Sequence, residues 1–338
     1  MDNSSINYFI NSNSSLGYVS YYESNFGKLK RAIRLNAYPL ELTQPLFGEI
    51  RETAMNRSLK VETVRNCLDN SLEGVIVPEL SAGIINLPVY DTNEHNALAL
   101  IGNENMETVR GCLASAYQKF AEARKIHDDW EKIFIKNTNF SVLDKLADQT
   151  VLALVGEKRQ DRDATSVDRY FGAASVNGSI DYIDNITCEI EHRYFLKGRP
   201  GTGKSTFLRK VAKVALEHGY DVEIYHCAFD PNSLDLIAVR GLAFCIFDST
   251  SPHEYFPARR NDEIIDIYSA CVKEGTDELY ADELAGFQAG YKAKVGAATD
   301  YLRQAKNSYG IFQSQMLSVI DEAAWKETKD KILASIFG

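Results

Sequence analysis

The chain has 338 residues, 45% apolar and 25% charged, an ordinary globular balance with material for two domains and two sizeable cores. Its net charge of −10 disfavours general nucleic-acid binding, because an acidic surface repels a phosphate backbone. No stretch approaches 18 consecutive apolar residues, and the opening MDNSSINYFINSNSS has neither the basic start nor the apolar core of an export signal, so the sequence reads as soluble and cytoplasmic, with no membrane partner.

Six cysteines and six histidines are dispersed, with no CxxC pair and no histidines at metal-ligand spacing. Reduced thiols and no structural metal site are therefore expected.

From residue 8 onward the chain repeats itself. Shifted by 161, residues 8–62 match 169–223 without a gap: Gly17 falls on Gly178, Tyr21 on Tyr182, Leu35 on Leu196 and Pro39 on Pro200. One residue out of phase, Asn70-Ser71-Leu72-Glu73 falls on Asn232-Ser233-Leu234-Asp235. At a shift of 182, Ala123, Ile133 and Gly156 meet Ala305, Gln315 and Gly338. Matches in the same order along both halves read as a tandem duplication. One copy spans 1–156, the other 169–338, and the charged stretch EKRQDRDATSVD (157–168) is a linker.

Within the first copy, residues 104–155 are expected to be helical, with Phe120, Ala123, Ile126, Trp130 and Ile133 on one packing face. In the second, HRYFLK (192–197) is a short strand, STFLRKVAKVALEHG (205–219) a helix stopped by Gly219, and DVEIYHC (221–227) the next strand. SLDLIAVRG (233–241) is expected as a short helix and LAFCIFD (242–248) as a buried strand. From about residue 276 the chain is alanine-rich and helical. Alternating strands and helices predict an α/β fold: a parallel sheet with flanking helices, of the P-loop NTPase type, once per copy.

Between the strand and helix of the second copy, Gly198-Arg199-Pro200-Gly201-Thr202-Gly203-Lys204-Ser205 fits GxxxxGK[ST]. Glycines let backbone N–H groups wrap phosphate oxygens, and the helix start adds its dipole. Lys204 is expected to reach the β- and γ-phosphates, the Ser205 hydroxyl to ligate Mg²⁺, and Thr206 to complete the cradle. Asp248, closing an apolar strand, stands where a magnesium-side carboxylate belongs, or else caps a turn. Ser249 follows it rather than a water-activating glutamate, which argues against rapid hydrolysis.

Two later segments are candidates for the missing chemistry. Asp230, in His226–Ser233, would orient a water or accept a hydroxyl proton, or else serve as a turn residue before Pro231. In the loop after Asp248, His253 would sense the γ-phosphate and Arg259 or Arg260 would neutralise transferring charge, unless the loop is simply solvated.

The first copy reads Ala37-Tyr38-Pro39-Leu40-Glu41-Leu42-Thr43-Gln44 at the loop position. Its glycines are gone, Thr43 replaces the lysine, and Asn86 stands in place of Asp248. It should not bind nucleotide this way.

YFLKGRPGTGKST, DVEIYHCAFDPNSLD and FDSTSPHEYFPARRNDEIID resemble an uncharacterised bacterial family of tandem P-loop ATPases, or nucleotide-kinase-like proteins, most strongly over residues 169–270. That resemblance implies two P-loop domains, of which the first is often intact in the family and is eroded here. The leading expectation is an ATP- and Mg²⁺-binding, slow or partner-coupled ATPase with nucleotide in the second copy alone. A small-molecule kinase, with residues 226–235 forming the acceptor pocket, and a non-catalytic ATP-dependent switch acting on a protein partner are the alternatives. The absence of an NKxD-type guanine-reading motif favours adenine.

Overall fold

The computed structural model describes residues 5–88, 104–250 and 254–338. Its first half runs β1 (Ser5–Tyr8), the hairpin β2 (Asn11–Ser14) and β3 (Gly17–Ser20), α1 (Tyr22–Phe26), β4 (Arg31–Asn36), α2 (Leu40–Asn56), β5 (Val61–Arg65), β6 (Leu72–Val77), β7 (Ala82–Leu87), α3 (Glu104–Asn137) and α4 (Phe140–Val155). The second runs β8 (Ser166–Arg169), the hairpin β9 (Gly172–Ser175) and β10 (Gly178–Asp181), α5 (Ile183–Ile186), β11 (His192–Lys197), α6 (Lys204–Glu217), β12 (Val222–His226), β13 (Leu234–Val239), β14 (Phe244–Asp248), β15 (Asp262–Asp266), α7 (Ile267–Cys271), α8 (Thr276–Leu279), α9 (Ala281–Leu317) and α10 (Glu322–Phe337).

The two large sheets have one strand order. The first is β1-β5-β6-β7-β4 and the second β8-β12-β13-β14-β11, extended by β15. Both break register at the same place, between Val64 and Arg65 and between Tyr225 and His226. Across the junction Phe9 and Tyr170 exchange backbone hydrogen bonds of 2.9 and 2.8 Å, a two-way pairing with the geometry of a local two-fold axis.

The sheets are mixed rather than parallel, a correction to the reading above. β6 and β13 run antiparallel to both neighbours. The expected helix over 233–241 is largely strand β13. Leu236, Ile237, Ala238 and Val239 are all buried, so both faces of the segment are packed as in a central strand. A short apolar run carries no period that separates strand from helix. β15 was not anticipated, and the last linker residues become the edge strand β8.

Cores built between the two sheets and between the two long helices hold the halves together. Tyr8, Phe26 and Ile85 from the first sheet pack against Phe195, Tyr225 and Phe247 from the second. Beside them Arg169 is buried, with its Nη2 2.6 Å from the Glu62 carboxylate and its guanidinium 3.9 Å from the centre of the Tyr8 ring. The long helices α3 and α9 pack lengthwise through Leu113, Ala116 and Phe120 against Ala298, Leu302 and Ala305; small side chains let the axes approach, as at Gly290 beside Ile126.

The short terminal helices exchange sides. Leu143, Ala147 and Val151 of α4, in the first half, cover Phe207, Leu208 and Val211 of α6 in the second. Ile332 and Ile336 of α10 return to cover Leu46, Phe47 and Ile50 of α2. Both helices begin alike: Asn139 accepts a hydrogen bond from the Val142 amide and Asp321 from the Ala324 amide, satisfying donors the helix leaves open. Among the described residues no helix is long and apolar enough to cross a membrane.

Candidate functional site

β11 lies between β14 and β15, parallel to both, with Leu196 opposite Asp248 and Lys197 opposite Asp266. The glycine-rich loop therefore springs from the carboxyl edge of the sheet with an acid on either side. Gly201 (φ +80°) and Gly203 (φ +88°) adopt left-handed backbone that other residues avoid. A Cβ on Gly198 would lie 2.6 Å from Thr202 Oγ1. That hydroxyl braces the loop from inside, donating to the Arg199 carbonyl at 2.8 Å and accepting from its amide at 3.2 Å.

Helix α6 starts at Lys204, so its open amides and positive dipole end face the loop. Lys204 Nζ donates to the Arg199 carbonyl at 2.8 Å and stands 3.6 Å from Asp248 Oδ2. The other oxygen of Asp248 is buried without a partner. Ser205 Oγ accepts from the Leu234 amide at 2.9 Å, placing a hydroxyl at the foot of β13. Thr206 is exposed on the next turn.

Asp235, which the sequence reading did not single out, belongs to this cluster. Leu236 pairs with Phe247, so Asp235 lies alongside Asp248 on the neighbouring strand. Burial pushes its carboxyl up to about 7, with repulsion from Asp248 adding, against the pull of the Cys227 thiol and Lys204. The missed signal was the Leu-Asp-Leu alternation: read as strand, it turns the aspartate to one face.

The first half also reaches this site. α3 crosses the loop closely enough that a Cβ on Gly201 would lie 2.6 Å from the Glu131 carbonyl, while Leu143 of α4 closes on Gly203. Arg124 bonds Asp230 at 2.5 Å and Asp128 at 2.6 Å. His127 stands 3.5 Å from Glu131; burial lowers its pKa, and Arg124 and Lys204 lower it further. Ligand atoms of His127, Asp128 and Glu131 lie within 4.8 Å of one another. One helical face thus carries a cation, an imidazole and two carboxylates, a pattern that gave no motif because its meaning depends on the loop it crosses.

Of the other expected residues, Asp230 is buried as a turn residue, accepting from Ser233 Oγ at 2.7 Å and pairing with Arg124. Arg259 donates to the Thr187 and Cys188 carbonyls at 2.8 and 3.4 Å, at the end of β14 away from Asp248, where its charge is felt by Cys245. Ser249 is tied to Tyr255, donating to its carbonyl and accepting from its amide. His253 lies outside the described residues.

The loop position in the first half is built differently. α2 begins at Leu40, so the counterparts of Gly201, Thr202 and Gly203 form its first turn. Asn86 closes what remains, accepting from the Tyr38 amide at 3.0 Å and donating to its carbonyl at 2.9 Å.

Chemically, the second-half site offers a strained amide-lined loop, a lysine, a hydroxyl and two adjacent carboxylates, one with an unpartnered oxygen. That set suits an anion held together with a divalent cation. No family model, no curated protein and no solved structure matches the chain.

Proposed function

We propose that the protein is a P-loop nucleoside-triphosphate-binding protein of tandemly duplicated α/β architecture that holds Mg²⁺-ATP in its second half alone. The observation that carries the reading is the meeting of Lys204, Ser205 and Asp248 at one loop edge, around glycines that tolerate no side chain. Loop amides and the α6 dipole receive the phosphates, and Lys204 moves from the Arg199 carbonyl to the β- and γ-oxygens. Ser205 and Asp248 would hold Mg²⁺, with Asp235 beside them as a second carboxylate. The duplication reading draws on the shared strand order and the shared register breaks.

Hydrolysis in the absence of an acceptor is slow. Ser249 is committed to Tyr255 and supplies no base after Asp248, and Asp230 is neutralised by Arg124. A small-molecule kinase is the second reading, favoured by a cavity beside the loop. Isothermal calorimetry with Mg²⁺-ATP tests the first claim: one site per chain is expected, lost in Lys204→Ala. Binding retained in that variant, or two sites per chain, would overturn it.

A further inference from the structure

A cavity of about 610 Å³ opens beside the loop, a size that accommodates a small organic molecule. Its floor is Gly198–Pro200 together with Ser249 and Thr250. These segments lead into Lys204 and out of Asp248, the groups assigned above to the β- and γ-phosphates and to the metal. The cavity therefore abuts the transferable end of the triphosphate. Trp130 and Phe134 of α3 and Tyr268 supply aromatic surface.

The polar groups identify the class of occupant. Lys197 is paired with Glu254 at 3.4 Å and Arg199 with Asp277 at 2.8 Å, so both cations of the lining are already neutralised. Among the described residues an anionic ligand would find no uncommitted positive charge there. Three lining groups carry buried atoms without partners: Trp130 Nε1, a donor; Asp277 Oδ1, an acceptor; and Thr250 Oγ1, which is both. Buried polar atoms are ordinarily bonded, and three exceptions around one cavity mark places for ligand atoms. Aromatic surface, donors and acceptors in a space whose described lining sets three carboxylates, Glu254, Asp266 and Asp277, against two cations disfavour an anion and fit a heterocyclic base carrying a hydroxylated sugar.

We propose that this cavity binds an uncharged nucleoside as phosphoryl acceptor, which makes the chain a nucleoside kinase. The proposal rests on the nucleotide-binding reading above and names that site's second substrate. A nucleoside hydroxyl oxygen bonds to the γ-phosphorus as the bond from that phosphorus to the β,γ-bridging oxygen breaks. ADP keeps the bonding electrons, and the hydroxyl proton passes to a non-bridging oxygen of the transferred phosphoryl group and on to solvent, while Asp277 Oδ1 accepts the hydroxyl's hydrogen bond and orients it. The products are ADP and a nucleoside monophosphate.

The chain has two tryptophans, so Trp325→Phe leaves Trp130 as the only indole reporter. That variant is titrated with adenosine, guanosine, cytidine, uridine and thymidine without ATP, and Mg²⁺-ATP binding is measured separately by calorimetry. At least one nucleoside should change Trp130 emission saturably, and the same nucleoside should raise ADP formation tenfold or more, with one monophosphate per ADP. Asp277→Ala should weaken nucleoside binding in the absence of ATP at least tenfold. No emission change with any of the five would refute the cavity's assignment. Binding without monophosphate, or ATP competing directly with the nucleoside, would refute the acceptor role and give the cavity to the donor's own base. Calorimetry reads the donor site independently, so failure there is distinguished from failure at the cavity.

Discussion

Asp235→Asn should make the ligand-free protein more stable at alkaline pH while impairing its use of magnesium. Asp235 is half-buried, and desolvation with repulsion from Asp248 pushes its carboxyl up to about 7, against an ordinary 3.8. Holding its charge in the folded state therefore costs on the order of 4 kcal/mol, an upper figure because part of it is shared with Asp248. The sign follows from a folded pKa raised above the unfolded one. The neutral carboxyl costs nothing below about pH 4; stability is lost as the pH climbs to about 7, and the loss then levels off. Asparagine has no charge to desolvate, so its gain over wild type should be largest at pH 8 and shrink by roughly 1.4 kcal/mol per pH unit between 7 and 4. Urea unfolding across that range measures it. The same variant should need more Mg²⁺ to bind ATP. Wild-type protein should release a proton on binding Mg²⁺-ATP near pH 6.5, visible as a buffer-dependent calorimetric heat. A variant less stable than wild type at pH 8, with the deficit unchanged at pH 5, would show that the carboxylate is ionised and satisfied in the apo fold and would refute the reasoning.

Lys204→Ala should abolish thermal stabilisation by Mg²⁺-ATP, whereas Thr43→Ala at the equivalent first-half position should leave the ATP-induced shift intact; equal losses would contradict the one-site reading. Asp248→Asn should raise the Mg²⁺ concentration needed for half-maximal ATP binding at least tenfold, and an unchanged metal requirement would remove Asp248 from the metal site. Gly201→Ala combines backbone strain with a contact at 2.6 Å to the Glu131 carbonyl, so it should cost more in thermal unfolding than Gly178→Ala, which has a similar φ and open space around its Cβ. Leu143→Ala, which opens a gap between α4 and α6, should cost about 2–5 kcal/mol by chemical denaturation even though the two residues' elements lie in different halves of the sequence.

The sequence was legible wherever a residue's meaning was local. GRPGTGKS sits between a strand and a helix as its spacing requires, and each half of the chain carries a sheet, the two sharing one strand order. What could not be read depended on partners distant in the chain. Leu234–Val239 looked helical because a short apolar run has no decisive period; only placement between β12 and β14 makes it a strand. Asp235 then gains its role from Asp248 on the next strand, thirteen residues on. Arg124 and His127 belong to no local motif, and α3 delivers them to a loop some seventy residues away in sequence.

The halves also serve as controls for each other. In the second, Arg124 of the long helix pairs with Asp230 in the turn before β13. In the first, Lys306 of the opposite long helix pairs at 3.1 Å with Asp69 in the turn before β6, and Asp69 there accepts from Ser71 as Asp230 does from Ser233. An ion pair kept in the half without a glycine loop needs no nucleotide to explain it: it fixes a long helix over a sheet edge. The neighbouring positions behave differently. A shift of 182 carries His127 to Tyr309, Asp128 to Gly310 and Glu131 to Gln313, just as Lys204, Asp235 and Asp248 correspond to Thr43, Glu73 and Asn86. Apart from Glu73, ionisable groups thus gather over the glycine loop of the second half, and uncharged ones over the corresponding helical turn of the first. The Arg124–Asp230 pair is therefore a brace, and His127 and Glu131 are the groups of α3 that the proposed site would draw on.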